Sequence, residues 1–85
     1  MGRYRIFVRR SVSKNFDRIT KKDARWIVKA IRVLSDDPRP AHSKKFSGEE
    51  KYRLRCGVYR IIYEIQDVHL VICVVRIRHR RDVYR

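Results

Sequence analysis

Acidic side chains are scarce in this sequence: 9 Asp and Glu stand against 23 Lys and Arg, a formal net charge of +14. A surface this positive concentrates polyanions around itself, so the candidate partners are nucleic acid, an acidic protein or an anionic membrane surface. Long apolar runs are also missing. The longest, Leu70 to Val75, falls far short of the roughly 20 residues that cross a bilayer, which excludes a spanning helix. The opening MGRYRIFVRR has neither the apolar segment nor the small-residue cleavage site of a secretory signal, and its Met-Gly lacks the Ser or Thr that myristoylation requires. A soluble, cytoplasmic protein without membrane partners is expected. Cysteine is limited to Cys56 and Cys73, with no CxxC spacing and no nearby histidine, so buried free thiols are expected rather than a disulfide or a zinc site. No Gly-rich phosphate loop and no His/Cys/Asp cluster with metal-ligand spacing is present, so neither metal nor small-molecule cofactor is expected.

What is present is a foldable chain. Hydrophobic residues make up 44% of it, and 85 residues support one compact domain, 1–85, with one modest core. Arg3 to Val8 reads as a first strand. Val12, Phe16 and Ile19 then recur at helical spacing, giving a short amphipathic helix starting near Ser11 or Ser13. Thr20 and Asp23 match the Ser/Thr-x-x-Asp/Glu pattern of a helix start, and Ile27, Ala30, Ile31 and Leu34 form the apolar face of a second helix that Asp36-Asp37-Pro38 ends. Arg39 to Ser47 reads as an exposed loop anchored by Phe46. Lys51 to Cys56, Tyr59 to Ile65 and Val68 to Ile77 follow as β-rich runs with very short connections, which predicts an antiparallel meander. The order β-α-α-β-β-β predicts an α+β fold, a two-helix hairpin on one face of a small, four-stranded antiparallel sheet whose other face stays open. The apolar stretch Leu70 to Val75 leaves the facing of the last strand unreadable.

The run KYRLRCGVYRIIYEI carries the strongest local signal. With Gly57-Val58 as a two-residue turn, Gly first, Cys56 pairs with Tyr59, Arg55 with Arg60, Leu54 with Ile61, Arg53 with Ile62, Tyr52 with Tyr63 and Lys51 with Glu64. Alternation then puts Tyr52, Leu54, Cys56, Tyr59, Ile61 and Tyr63 on the face that suits the helices, and Arg53, Arg55 and Arg60 on the other. Like charges directly opposite each other destabilise a sheet, whereas a bound anion would use guanidiniums that stay charged at any working pH. A basic protein that places arginine wherever a strand meets water would produce the same pattern. At the C-terminus, Arg78, His79, Arg80 and Arg81 precede Tyr84, an array suited to single-stranded nucleic acid. A solvated tail with Tyr84 docked on the core is the alternative.

These residues resemble the RelE/ParE toxin superfamily over essentially the whole chain: the YRIFV strand, the helical hairpin ending in L-x-x-D-P, the Lys-Lys-Phe lead-in, the block YRLRCGVYRIIYEIQD and the terminal RHRRDVY. The resemblance implies a type II toxin of the RelE-like branch, a ribosome-dependent mRNA endoribonuclease. In such an enzyme a ribose 2′-OH attacks the adjacent phosphate without a metal. By resemblance, Arg53 and Arg55 fall at a pair of basic catalytic positions, Arg60 at the arginine that stabilises the scissile phosphate, Arg80 at a further catalytic arginine, and Tyr84 at a base-orienting tyrosine. Arg78 stands where relatives carry Gly, and Val58 where a polar residue is common. Arginine is a poor base, so His79, of the side-chain type that titrates near neutrality, is the candidate acid or base; a surface histidine is its alternative. Lys44, Lys45, Arg78 and Arg81 are expected to contact RNA or the ribosome. The implied partners are a cognate acidic antitoxin and mRNA in the ribosomal A site. A ParE-like gyrase inhibitor and a non-catalytic basic nucleic-acid-binding module are the rival functions.

Overall fold

The computed structural model describes residues 3–46, 48 and 50–80. Strand β1 (Arg5–Val8) leads into helix α1 (Arg10–Asn15), a 3-10 turn (Phe16–Arg18) and helix α2 (Lys21–Asp36), followed by strands β2 (Ser43–Lys45), β3 (Lys51–Cys56), β4 (Tyr59–Gln66) and β5 (Val71–His79). The first helix is shorter than its apolar spacing predicts. After Asn15 the backbone tightens into the 3-10 turn, which brings Phe16 and Ile19 against the core. Helix α2 starts where the capping pattern lies: the Thr20 Oγ1 accepts a hydrogen bond from the Asp23 N–H at 3.2 Å, satisfying one of the donors left free at a helix start. Its buried stripe is Ile27, Ile31 and Leu34, while Trp26 and Val33 stay exposed on the flanks.

The α+β class and the helical layer on one face follow the sequence reading, but the sheet differs from it in two respects. It has five strands in the order β1-β5-β4-β3-β2, and it is mixed, with β1 parallel to β5. Parallel pairing arises because the helices and the β2–β4 meander return the chain to the far side of the sheet before β5 begins, a crossover that no local pattern records. The added strand β2 lies in the stretch read as loop. Its three residues, Ser-Lys-Lys, have no apolar alternation, and they are aligned by a turn in which the Ser43 N–H and hydroxyl donate to the Pro40 carbonyl at 2.9 and 2.8 Å.

The core lies between α2 and the helix-side face of β3, β4 and β5, where Tyr63, Ile27, Leu34, Leu54, Ile61, Ile72, Val12 and Val74 are fully buried. Each large aliphatic among them contributes about 1.5–3 kcal/mol by leaving water. Two tyrosines of β4 fix α2 from opposite ends: Tyr59 donates to Asp23 Oδ2 at 3.1 Å, and Tyr63 donates to the Pro38 carbonyl at 2.8 Å. Burial raises the phenol pKa of both, keeping them neutral donors. At the hairpin turn Gly57 has φ +60°, and Val58 has no positive φ, as the Gly-first turn requires. A Cβ at Gly57 would also stand 2.6 Å from the Trp26 ring, so the turn packs beneath α2 only as glycine. Cys56 is a buried free thiol as expected, whereas the free thiol of Cys73 is only half-buried. Among the described residues no helix is long and apolar enough to cross a membrane.

A polar clasp absent from the sequence reading closes the far end of the sheet. Arg39 binds Asp67 through two donors at 2.8 and 3.4 Å, its Nε reaches the Tyr52 hydroxyl at 3.1 Å, and Tyr4 donates to the same Asp67 carboxylate at 2.7 Å. These bonds, first from Arg39 and then from Tyr4, hold the Asp67 carboxyl below the usual carboxylate range. A carboxyl with a depressed folded-state pKa adds stability above its unfolded pKa, and that stability disappears as pH falls through the folded value. Asp67→Asn should therefore melt below wild type at pH 7, and the gap should close as pH falls below about 4. An equal gap at pH 7 and pH 3, by thermal unfolding, would show that the clasp does not depend on the charge.

Candidate functional site

The register of β3 on β4 is the one the hairpin pattern predicts at all six positions from Lys51↔Glu64 to Cys56↔Tyr59. Leu54, Cys56, Tyr59, Ile61 and Tyr63 are buried under the helices, while Arg53 and Arg55 project from the open face with Arg60, which is half-buried on the central strand β4. Strand β5 extends this pattern by setting Arg78 opposite Arg60, so that Arg55, Arg60 and Arg78 lie side by side on three neighbouring strands. The next row is Lys44, Arg53, Ile62 and Arg76.

A β-bulge fixes how β5 joins these rows. Ile62 pairs with Arg76 but Tyr63 pairs with Val74, leaving Val75 without a partner position. Val74 and Ile77 consequently both face the core although they are three residues apart, and Val75 turns to the open side beside Ile62. This is why the parity of Leu70 to Val75 cannot be read from sequence.

Three hollows share the open face, and Arg60 borders all of them. One, about 290 Å³, lies at the hairpin turn among Arg55, Gly57, Val58, Tyr59, Arg60 and Arg80. Arg80 is held there by its own backbone, whose N–H donates to the Val58 carbonyl at 2.6 Å. A second, about 270 Å³, is enclosed by His42, Lys44, Arg53, Arg55 and Arg60. The third, about 370 Å³, has Ile62 and Val75 in its wall with Arg53, Arg60, Arg76 and Arg78 around them.

Among the described residues little negative charge offsets this face. Among the described residues the ion pairs are Arg39–Asp67 and Lys45–Glu50, both away from the arginine rows. Glu64 lies opposite Lys51 as predicted, without closing to an ion pair. Directly opposed like charges cost up to about 1 kcal/mol per pair, a cost that a phosphate bridging two guanidiniums would convert into attraction. Among the described residues no His, Cys, Asp and Glu group is arranged to hold a metal ion.

The structure thus brings together Arg53, Arg55, Arg60, Arg78, Arg80 and Lys44. Among the described residues, His79 and Lys45 stand apart from them. His79 pairs with Tyr59, which faces the helices, and its ring meets the Tyr59 ring edge-on at 5.3 Å in a hollow shared with Asn15, Arg18 and Ile19. The His79 imidazole therefore lies on the opposite side of the sheet from the arginine row, because strand alternation sends it the other way from Arg78. Lys45, opposite Tyr52, likewise points away from Lys44 and pairs with Glu50 at 3.5 Å. Arg81 and Tyr84 lie outside the described residues. Missed by the sequence reading were Arg76, hidden by the bulge, and His42; Arg9, expected only as a contact to ribosomal RNA, and Phe46, expected only as a loop anchor, also border the open face, because their neighbours there come from distant parts of the chain.

If the arginine row is mutually repulsive, Arg55→Gln should stabilise the protein at low ionic strength, by up to about 1 kcal/mol. The gain should shrink in high salt as charges are screened. Denaturant unfolding at two salt concentrations measures it, and a loss of stability at both would show that the row is not under electrostatic strain.

Comparison with known proteins agrees with this geometry. Residues 6–84 match the family model described as the ParE toxin of the type II toxin–antitoxin system parDE. A provisionally named RelE-like toxin protein of Escherichia coli is 28% identical over 86 residues, covering 96% of this chain and 90% of that protein. Among solved structures, the RelE–RelB complex of Pyrococcus horikoshii is similar at a TM-score of 0.84 and 26% identity, covering 92% of this chain and 96% of the matched one. A variant of the E. coli toxin RelE in the free state shares the fold at a TM-score of 0.78 and 20% identity, covering 99% and 92%. With a family model matched over nearly its full length and the α+β layout of the RelE structures, the chain belongs to the ParE toxin family of type II toxin–antitoxin systems and is a RelE-like toxin.

Proposed function

We propose that this toxin is a ribosome-dependent endoribonuclease that cuts mRNA by attack of a ribose 2′-OH on the adjacent phosphate. The P–O5′ bond breaks, leaving a 2′,3′-cyclic phosphate on one fragment and a 5′-OH on the other. The observation that carries this reading is the arginine row on the open face, which joins no ion pair among the described residues, with Arg55 and Arg60 sharing two hollows and Arg80 bordering one of them. Such a cluster stabilises the extra negative charge of a pentacovalent phosphorane, the dominant requirement of the reaction. Arg53 and Lys44, in the adjacent row, hold the neighbouring backbone. Arg78 flanks Arg60 on β5, at the position where relatives carry Gly, and adds a third guanidinium to the row.

The 2′-OH proton needs an acceptor that is not arginine. His79 faces the helices, so in this reading His42 takes that role from its place beside Arg53, Arg55 and Arg60. The ribosome supplies the remaining requirement by fixing the codon in a cleavable geometry. The partner is a cognate antitoxin, as RelB is for the RelE proteins of the matched complexes, and an acidic one suits the +14 charge. A gyrase-poisoning function is the second reading, favoured by the family description that names ParE.

One experiment addresses both. Programmed ribosomes and, separately, gyrase with plasmid are incubated with the purified toxin and two variants. Cuts positioned within the A-site codon are expected, with Arg60→Ala slower by about a hundredfold or more and still folded. His42→Gln should also cut more slowly while staying folded. Wild-type cutting by Arg60→Ala removes the row from the mechanism, and linearised plasmid with intact mRNA establishes the gyrase reading instead.

A further inference from the structure

The third hollow differs in kind from the other two. Its wall contains two adjacent aliphatic side chains, Ile62 and Val75, on a face that is otherwise almost wholly cationic. Val75 is only 8% exposed and stands there because of the β-bulge; without that extra residue the alternation of β5 would not bring it beside Ile62. Phe46 closes one side, half-buried, with its N–H donating to the Lys51 carbonyl at 2.8 Å. Around this apolar patch stand Arg53, Arg60, Arg76 and Arg78, all donors and no acceptors.

We propose that this hollow seats one unstacked RNA base, that of a nucleotide next to the phosphate held by Arg55 and Arg60; the assignment rests on the endoribonuclease reading above. A base has an apolar π-face that lies on aliphatic and aromatic surface, and its sugar is joined to phosphates that the guanidinium rim neutralises. Guanidinium planes also stack on bases, which an aliphatic side chain of a protein partner does not use. At about 370 Å³ the hollow has room for a base. Arg60 borders both this hollow and the two it shares with Arg55, which puts the base beside the reacting phosphate. The bulge thereby gives the site a seat for a base as well as for backbone.

Binding of the free toxin to short, uncleavable 2′-O-methyl RNA tetramers tests this, with a single abasic residue placed at each position in turn. Base stacking is worth about 1–3 kcal/mol, so one abasic position should weaken binding roughly 5- to 150-fold while the others change it little. Phe46→Leu and Val75→Thr, both checked for wild-type unfolding, should weaken the intact tetramer and leave that abasic tetramer unchanged. Equal affinity for every abasic tetramer overturns the proposal, as does an abasic penalty that persists undiminished in both variants. An acidic leucine-bearing peptide that binds with the same dependence on Phe46 and Val75, while base removal has no effect, would reassign the hollow to a protein partner. Cutting of programmed ribosomal mRNA, measured in parallel, decides the endoribonuclease reading separately, because the tetramers report binding without cleavage.

Discussion

Arg55 faces Arg60 across the β3–β4 ladder, and Arg78 faces Arg60 from the other side. The backbone cannot relieve this contact. Sliding the hairpin by one residue would move Leu54, Cys56, Tyr59, Ile61 and Tyr63 from the core to water, a loss of several kcal/mol that far exceeds the repulsion between guanidiniums. The hydrophobic face therefore locks the charged face, and the like charges persist in a folded protein because the other side of the same strands is buried.

The rest of the molecule holds that central strand still. Tyr59 and Tyr63 attach β4 to the two ends of α2, Gly57 lets the hairpin turn pass beneath Trp26, and the Arg39–Asp67–Tyr4 clasp closes the opposite end of the sheet. Positioning of this kind suits a site whose work is electrostatic, since donors already fixed around the developing charge need not reorganise during the reaction. The bulge at Val75 adds an apolar patch to a charged surface at the cost of a break in the ladder.

How much of this was legible in the sequence varies by element. The β3–β4 hairpin was readable to the residue because alternation, one buried face and a glycine at the first turn position all specify the same register. Helix α2 was readable from its Thr20 cap and apolar stripe. Strand β2 was not, since Ser-Lys-Lys carries no period. The parallel β1–β5 pairing and the Arg39–Asp67 contact, separated by 28 residues, arise from long-range packing that leaves no local trace. At the site, Arg53, Arg55 and Arg60 share the open face as the alternation predicts, and Arg78 and Arg80 stand beside them. His79 and Lys45 do not, because neighbours in a strand point to opposite faces and proximity in sequence to Arg78 or Lys44 misleads.

The central claim is that the arginine row exists to hold a phosphodiester of mRNA at the moment of cleavage. The most direct measurement is a structure of the toxin on a programmed ribosome whose A-site codon carries 2′-deoxy nucleotides, which block the attack. The account predicts the open sheet face turned toward the codon, with one phosphate bridging the Arg55 and Arg60 guanidiniums. A toxin bound through its helical face, or an mRNA backbone that passes the sheet without touching either arginine, would contradict it.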